Sequence, residues 1–215
     1  TPAQNDSAVK AAAKANALPL ITSRALGFTT DEASWISLDV SPDGRTIVFD
    51  ILGDLYTLPI AGGTATRITS GTGWDQQPRY SPDGTQIAFV SDRNGSKNVW
   101  IANADGSKPH ALTKSERINL ASPIWSADGQ YVIASRTGQL WLYHKDGGSG
   151  LQLTGLRAEG APAPQGTAVT PSHFGAAPSG DARYLWVNVG GTVSPTLAFG
   201  AQPDVRGIHD LPVRG

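Results

Sequence analysis

The sequence predicts an all-β fold of repeated four-stranded antiparallel sheets. Three observations predict it: one turn motif occurs three times, each copy is followed by a short apolar run, and the copies lie at nearly constant spacing. The turn is SPDG at 41–44, SPDG at 81–84 and SADG at 126–129, so it recurs after 40 and then 45 residues. Self-similarity at roughly 40–45 residues, with four strands in each unit, is the pattern of β-propeller blades.

The turn and its flanks predict the first two strands of each unit. Proline at the second position presets φ, aspartate can bond the backbone, and glycine supplies the left-handed conformation that returns the chain antiparallel. The matching segments are ISLDVSPDGRTIVFD (36–50), QQPRYSPDGTQIAFV (76–90) and ASPIWSADGQYVIAS (121–135).

A second set of matching segments predicts the third strand. These segments are DLYTLPIAGG (54–63), NVWIANADG (98–106) and QLWLYHKDGG (139–148). Trp100 and Trp141 occupy one position of this strand, and Tyr56 occupies it in the first unit. We expect these large aromatic side chains to pack between neighbouring sheets, where their burial stabilises most.

A short fourth strand closes each unit. The closing segments are ATRITSG (65–71), PHALTKS (109–115) and LQLTGLR (151–157). Their threonines, Thr69, Thr113 and Thr154, lie 44 and 41 residues apart. Because a four-stranded sheet cannot bury both faces alone, we expect the units to stack around a channel.

The predicted domains are an N-terminal arm at 1–30 and a blade region at 31–215. The arm begins Ala-rich and polar, and its segment 8–17 has the composition for a helical turn or two. It has little apolar surface, so we expect it to lie on the surface or on a partner. The individual blades are predicted at 34–73, 74–117, 118–157 and 158–215.

The fourth unit is degraded. It has the turn with two extra residues in AAPSGDARYLWVNV (176–189), then an apolar strand at 185–187, but no clear third or fourth strand after Val189. Its connector, 158–175, is long and rich in Pro and Ala. Roughly three and a half blades would leave an open sheet edge, which proteins normally avoid. We therefore expect missing blades of the same protein, or blades of a partner chain, to complete the ring.

Composition excludes several classes of protein. The net charge is −1 and the pI is about 6.4, so there is no basic field to attract nucleic acid. No apolar run approaches the roughly 20 residues of a membrane helix. Cysteine is absent, which excludes disulfides and cysteine-ligated metals. The chain opens on Thr1 and contains no methionine. A cleaved secretory signal or simple trimming explains this, and we expect a periplasmic or secreted location.

The repeat SPDGxxIxF…LW…ADG…LT over 34–155 resembles the WD-type repeat of TolB-like propellers. Two longer segments, SWISLDVSPDGRTIVFDILGDLYTLPIAGG and LWLYHKDGGSGLQLT, resemble the N-terminal propeller of exported bacterial amidohydrolases. In those proteins a metal-dependent barrel follows the propeller. The resemblance implies a non-catalytic module of a hydrolase that acts on amide or other C–N bonds.

The four histidines do not match the metal motif of that family. The amidohydrolase motif is His-x-His, whereas His110, His144, His173 and His209 are scattered along the chain. We therefore predict no catalytic, cofactor-binding or metal-ligating residue here, and expect a divalent metal only in a separate or missing catalytic domain. His209 and Asp210 are not expected to act together as a general base and its orienting carboxylate, because neighbouring residues of a strand point to opposite faces.

The carboxylates form two sets. The first set, Asp43, Asp83 and Asp128, lies in the repeated turn, where a structural role is expected. The second set consists of Asp50, Asp54, Asp75 and Asp92, at loop or strand-end positions where a propeller channel could gather them. Such oxygens can bind a cation. The alternative is ordinary hydrogen bonding, with a surface pair between Asp92 and Arg93.

Nucleophile and phosphate motifs are weak. GGSGL (147–151) lacks the final glycine of a nucleophile elbow and is predicted in a hairpin. The glycine pairs at 62–63 and 147–148 match as turns of the repeat and open no helix, so they do not predict a phosphate site.

Three functions remain open. The first is the amidohydrolase-associated module, which would shield or orient substrate or mediate assembly, including assembly into a homo-oligomer. The second is a TolB-like periplasmic propeller that binds a partner protein. The third is the propeller of a prolyl-oligopeptidase-like serine hydrolase, which fold analogy alone supports.

Overall fold

The computed structural model describes residues 27–34, 36–155, 172–179, 184–190 and 204–209. The chain divides into two units, 1–33 and 34–215. In the first, the described residues 27–33 contain no regular element, and the Thr30 hydroxyl accepts a hydrogen bond from the Glu32 N–H at 3.1 Å. The predicted helical segment 8–17 lies outside the described residues. The limits predicted for the arm and the blades stay predictions.

The described residues of the second unit form four antiparallel sheets. Sheet 1 consists of β1 (Leu38–Val40), β2 (Thr46–Ile51), β3 (Asp54–Pro59) and β4 (Thr66–Arg67). Sheet 2 consists of β5 (Asp75–Tyr80), β6 (Gln86–Ser91), β7 (Asn98–Asn103) and β8 (His110–Ala111). Sheet 3 consists of β9 (Leu120–Trp125), β10 (Tyr131–Arg136), β11 (Gln139–His144) and β12 (Leu151–Gln152). Sheet 4 consists of β13 (Ser172–Pro178), β14 (Tyr184–Gly190) and β15 (Asp204–His209).

Within each sheet the strands pair in chain order. The described residues contain no helix, so the predicted all-β fold of four-stranded antiparallel sheets is confirmed. None of those residues forms an apolar helix long enough to cross a bilayer.

The sequence predicted no third strand in the fourth unit, and this was wrong. β15 pairs with β14 in regular antiparallel register, from Tyr184 opposite His209 to Val189 opposite Asp204. Its sequence, DVRGIH, does not repeat the aromatic pattern of β7 and β11, so comparison of the units did not reveal it.

The repeated turn is a small hydrogen-bonded unit. In the first copy Asp43 accepts a hydrogen bond from the Ser41 hydroxyl at 2.5 Å and another from the Arg45 N–H at 3.1 Å. Gly44 has a φ of 71°, the left-handed conformation that the turn requires. The copies at 81–84 and 126–129 contain the same serine–aspartate bond.

Consecutive turns also nest against one another. A Cβ placed on Gly84 would lie 3.3 Å from the Cδ of Pro42, and one on Gly129 would lie 3.5 Å from the Cδ of Pro82. The proline of one turn therefore packs on the glycine of the next. This contact involves the prolines of the first two turns and the glycines of the second and third.

Sheet 2 lies between sheets 1 and 3, with apolar residues on both of its faces. One face contributes Ile87 and Phe89 to a cluster with Val48 and Leu55 of sheet 1. The opposite face contributes residues to a cluster with sheet 3; these include Ala88, Val99 and Ile101, packed with Leu120, Val132 and Ala134. A third cluster joins sheets 3 and 4 through Ile133, Leu140, Leu185 and Val187. The core is therefore a series of layers between successive sheets.

The two tryptophans of the third-strand aromatic position lie in these layers, as predicted, whereas Tyr56 stacks on Phe49 on the outer face of sheet 1. Trp100 packs against the cluster between sheets 1 and 2, and Trp141 packs against the one between sheets 2 and 3. Both are covered by an arginine: the guanidinium carbon of Arg93 lies 4.9 Å from the ring centroid of Trp100, and that of Arg136 lies 4.4 Å from that of Trp141. These cation–π contacts cap the apolar layers.

Side chains also join the first strands of neighbouring sheets. Asp39 of β1 accepts a hydrogen bond from the Tyr80 N–H at 2.9 Å. Gln77 of β5 accepts one from the Ser122 N–H of β9 at 2.7 Å. Gln77 and Ser122 have positive φ values of 57° and 53° and lie at irregularities in their strands, where the ladder leaves N–H groups unpaired. These bonds fix the position of each sheet against the next.

The closing threonines have a common structural role. The Oγ1 atoms of Thr69, Thr113 and Thr154 accept hydrogen bonds from the N–H groups of Leu55, Val99 and Leu140, at 2.8, 3.0 and 2.9 Å. All three threonines are buried. They occur once in each of the first three units because each third strand begins with a buried N–H that needs this acceptor.

Replacing Thr113 with valine is expected to lower the free energy of unfolding by about 1–3 kcal/mol, because the Val99 N–H would stay buried without that acceptor. Urea unfolding followed by circular dichroism measures the change. The control is Thr66→Val, at an exposed position of β4. Equal stability of the Thr113→Val and Thr66→Val proteins would contradict the proposed role.

Candidate functional site

A pocket of about 430 Å³ opens at one end of sheets 1 and 2. Residues 34, 36, 50–53 and 74–76 line it. The segment 50–53 spans the end of β2 and the turn into β3, and 74–76 leads into β5. The Asp75 N–H donates to the Gly53 carbonyl at 2.8 Å, which joins the two segments. The pocket is therefore built from two sheets at once.

Asp50 is a buried carboxylate in this pocket. Its Oδ1 accepts a hydrogen bond from the Ser37 N–H at 2.8 Å, and its Oδ2 accepts one from the Gln77 N–H at 2.7 Å. These bonds connect the approach to β1 with β5. Both partners are uncharged, and no cation among the described residues forms a salt bridge with Asp50.

Asp75 is more deeply buried, with 1% of its surface exposed. Its Oδ2 pairs with Arg93 Nη2 at 2.5 Å, whereas its Oδ1 is buried with no hydrogen-bond partner in the described part of the chain. The expected surface pair between Asp92 and Arg93 is therefore wrong, because Arg93 turns inward to Asp75. Gly73 permits this arrangement, since a Cβ there would lie 2.7 Å from the Cβ of Arg93.

The other two carboxylates of the predicted set lie in the same segments. Asp92 accepts a hydrogen bond from the Trp74 N–H at 2.7 Å and so fixes a wall of the pocket. Asp54 follows the turn and pairs with Arg67 at 3.4 Å. Burial raises the pKa of Asp54, the Arg67 charge opposes this, and the Asp75 charge adds to it. The sequence correctly grouped these carboxylates at strand ends, but no described group of three or more ligating side chains is arranged to bind a metal.

Large apolar side chains form the rim of the pocket, and the sequence did not predict them. Leu52 is 71% exposed and Trp74 is 53% exposed. Leu52 has a φ of 52°, an unfavourable conformation for leucine, and the following Gly53 has a φ of 87°. The Trp74 ring packs on Gly53, where a Cβ would lie 3.1 Å from its Cε3. The only sequence signal was an apolar residue in a two-residue turn, a position that polar residues usually occupy.

The three histidines whose side chains are described lie in different sheets. His110 is an exposed residue of β8, and His144 ends β11, where its Nδ1 lies 3.7 Å from Asp146 Oδ2. His173 of β13 contacts Gln139 through Nδ1 at 3.2 Å. The side chain of His209 and the whole of Asp210 lie outside the described residues. The structure assembles no catalytic group from the three side chains that it describes.

The glycine pairs lie in loops, as the sequence predicted. Gly62 donates its N–H to the Pro59 carbonyl and Gly147 donates to the His144 carbonyl, at 2.8 and 2.9 Å. These bonds close turns at the ends of β3 and β11.

Comparison with known proteins identifies the relatives of the chain. Residues 36–185 match the family model of the Tricorn protease N-terminal beta propeller domain. Tricorn protease homolog 1 of Streptomyces coelicolor is 34% identical over 101 residues, which cover 47% of this chain and 10% of that protein. Tol-Pal system protein TolB of Desulfosudis oleivorans is 30% identical over 121 residues, which cover 56% and 23%. The chain therefore spans between a tenth and a quarter of the length of these two relatives.

A solved structure supports the same fold. TolB from Acinetobacter baumannii has a TM-score of 0.59 at 20% identity, over 81% of this chain and 41% of that one. The predicted TolB-like β-propeller is confirmed by the family match and by this structural similarity.

The turn aspartates give a pH prediction. Hydrogen bonds from the Ser81 side chain and then the Thr85 N–H lower the pKa of Asp83 below 3.8, and Asp43 and Asp128 shift in the same direction, with the serine bond again the largest cause. A carboxyl whose pKa is lower in the folded state stabilises the fold above its unfolded pKa, and this stability is lost as the pH falls through the folded pKa. Asp83→Asn is therefore expected to reduce the free energy of unfolding at pH 7, with a difference from wild type that shrinks toward pH 3.

Urea unfolding at pH 7, 5, 4 and 3 measures this difference. The exposed Asp31 provides the control, Asp31→Asn, which should show no comparable trend. A difference for Asp83→Asn that stays constant down to pH 3 would contradict the assignment.

Proposed function

We propose that this chain, which belongs to the family of the Tricorn protease N-terminal β-propeller domain, is a non-catalytic propeller module that binds a partner polypeptide at the end where sheets 1 and 2 form their pocket. One observation supports this function above the others. Leu52 and Trp74 are both exposed and line the same pocket as the buried carboxylates Asp50 and Asp75. A patch of large apolar side chains around a concave centre is typical of protein-binding surfaces.

This proposal corresponds to the TolB-like alternative of the sequence analysis. A relative named Tol-Pal system protein TolB supports it, and with it we propose a periplasmic location. Attachment to an amidohydrolase is supported only by the two resembling sequence segments, and no structural observation favours it. The serine-hydrolase alternative is likewise supported by fold analogy alone. If the chain were attached to an amidohydrolase, the divalent metal of that enzyme would lie in a separate catalytic domain.

We further propose that an additional blade, from the same protein or from a partner chain, covers the outer face of sheet 1. On that face Leu38 and Val40 of β1 are 49% and 42% exposed. The residue equivalent to Val40 in sheet 2 is Tyr80, which is buried against sheet 1. This position is therefore apolar in both sheets, but it is covered by a neighbouring sheet only in sheet 2. A further blade packed on sheet 1, as sheet 1 packs on sheet 2, would cover Val40 in the same way.

Photo-crosslinking tests the proposed partner surface. We expect p-benzoylphenylalanine at position 52 to form one or a few discrete adducts in an extract of the source cells, because Leu52 would contact the partner. Thr137 provides a matched control position, since it is exposed and occupies the equivalent turn of sheet 3 with a φ of 49°. Position 137 should give none of these adducts.

Excess unlabelled wild-type chain should suppress the adducts, whereas excess Leu52→Asn chain should compete less well. This variant is a fair competitor because asparagine tolerates positive φ. Identical adducts from positions 52 and 137, or none from position 52, would overturn the proposed function.

A further inference from the structure

The pocket combines a negative floor with an apolar rim, and this combination indicates what it binds. We propose that it takes a basic side chain, lysine or arginine, from an extended segment of the partner polypeptide, with an apolar neighbour of that side chain lying on Trp74 and Leu52. This inference rests on the proposed function and adds the chemistry of the partner.

The first argument is the charge of Asp50. Each of its two oxygens accepts one backbone N–H, which fixes the side chain and leaves acceptor capacity for a guest, and no described cation forms a salt bridge with it. In a region of low dielectric, the attraction between a carboxylate and a cationic guest is stronger than it would be in water. A cleft lined by one sign of charge attracts ligands of the opposite sign.

The second argument is the unpaired oxygen of Asp75. Buried polar atoms in proteins are normally hydrogen-bonded, and an exception needs an explanation. The nearby cation, Arg93, is already engaged with Asp75 Oδ2 at 2.5 Å and with the Ser91 hydroxyl at 3.0 Å. Its guanidinium also lies against Phe89 and Trp100. Arg93 is therefore held in place, no second donor among the described residues reaches Asp75 Oδ1, and a basic guest would supply one.

The third argument is the apolar rim. Lysine and arginine have long apolar stems that pack on aromatic and aliphatic side chains while the charged end reaches a polar partner. Ile36, Leu52 and Trp74 provide such a surface beside the two carboxylates. Leu52 and Trp74 extend the apolar area beyond what one stem would cover. This favours a polypeptide with flanking apolar residues over a small free amine.

Fluorine NMR of the full chain tests the inference directly. Labelling with 5-fluorotryptophan marks the six tryptophans, and Trp74→Phe identifies the Trp74 signal. The probe is the peptide acetyl-Gly-Leu-Arg-Leu-Gly-amide. Its matched control replaces arginine with citrulline, which has nearly the same shape and no charge. Agmatine serves as the small free cation.

We expect the arginine peptide to move the Trp74 signal in a saturable manner. The citrulline peptide should bind about tenfold more weakly or worse, because its ureido N–H groups can still donate but no longer form a charge-assisted hydrogen bond with a carboxylate. Agmatine should also bind about tenfold more weakly or worse, because it has no flanking apolar residues to pack on the rim.

Two variants locate the binding in the pocket. Leu52→Asn should weaken the arginine peptide by about threefold or more, since burial of an apolar side chain is lost, whereas Thr137→Asn in the equivalent turn of sheet 3 should bind as wild type. Asp50→Asn should weaken the arginine peptide and leave the citrulline peptide unchanged. The five other tryptophan signals show whether the Asp50→Asn protein is folded. If it is not folded, the comparison of Leu52→Asn with Thr137→Asn shows whether the peptide binds in the pocket.

Three results would overturn the inference: no movement of the Trp74 signal, equal binding of the citrulline peptide, or equal binding of agmatine, which would make the pocket a site for small amines. Failure here is distinguishable from failure of the proposed function. Discrete adducts at position 52 combined with equal binding of the two peptides would leave the partner surface standing and refute only the basic side chain.

Discussion

The structure depends on a packing constraint: a four-stranded sheet with apolar residues on both faces has to be covered twice. Sheet 2 shows the constraint satisfied, since Phe89 is buried against sheet 1 and Ile101 is buried in the layer with sheet 3. Sheet 3 is covered in the same way, by sheet 2 on one face and sheet 4 on the other. Burial of this kind is the dominant favourable contribution to folding, so the sheets stabilise one another and none would be stable alone.

The same stacking creates the pocket. Two neighbouring sheets are held in register by hydrogen bonds such as that from the Gln77 N–H to Asp50, and their loop ends then meet at a fixed distance. Asp50 therefore has a structural role and a place in the candidate site at once. Loops that meet on a rigid scaffold are the usual place for binding residues, because their side chains can vary without loss of the core. Leu52 and Thr137, in equivalent turns, illustrate such variation.

What the sequence could predict follows from repetition. The serine–aspartate turn and the closing threonines recur in the first three units, and Trp100 recurs as Trp141, because each solves the same local problem where it occurs. Comparison of the units therefore reveals them. The pairing of Arg93 with Asp75 could not be found in this way, because it joins residues 18 positions apart and has no counterpart among the described residues of the other units. The rim residues Leu52 and Trp74 are also unrepeated, and only the folded chain places them over the same carboxylates.

A comparison of two phenylalanines tests the packing of the sheets most directly. Phe89 and Phe49 occupy equivalent positions, but Phe89 is fully buried under sheet 1 whereas Phe49 is half-buried on the outer face of sheet 1. Phe89→Ala is expected to lower the free energy of unfolding by about 3–5 kcal/mol, and Phe49→Ala by clearly less. Equal losses for the two variants, measured by urea unfolding of the same 215-residue chain, would contradict the layered arrangement of the sheets.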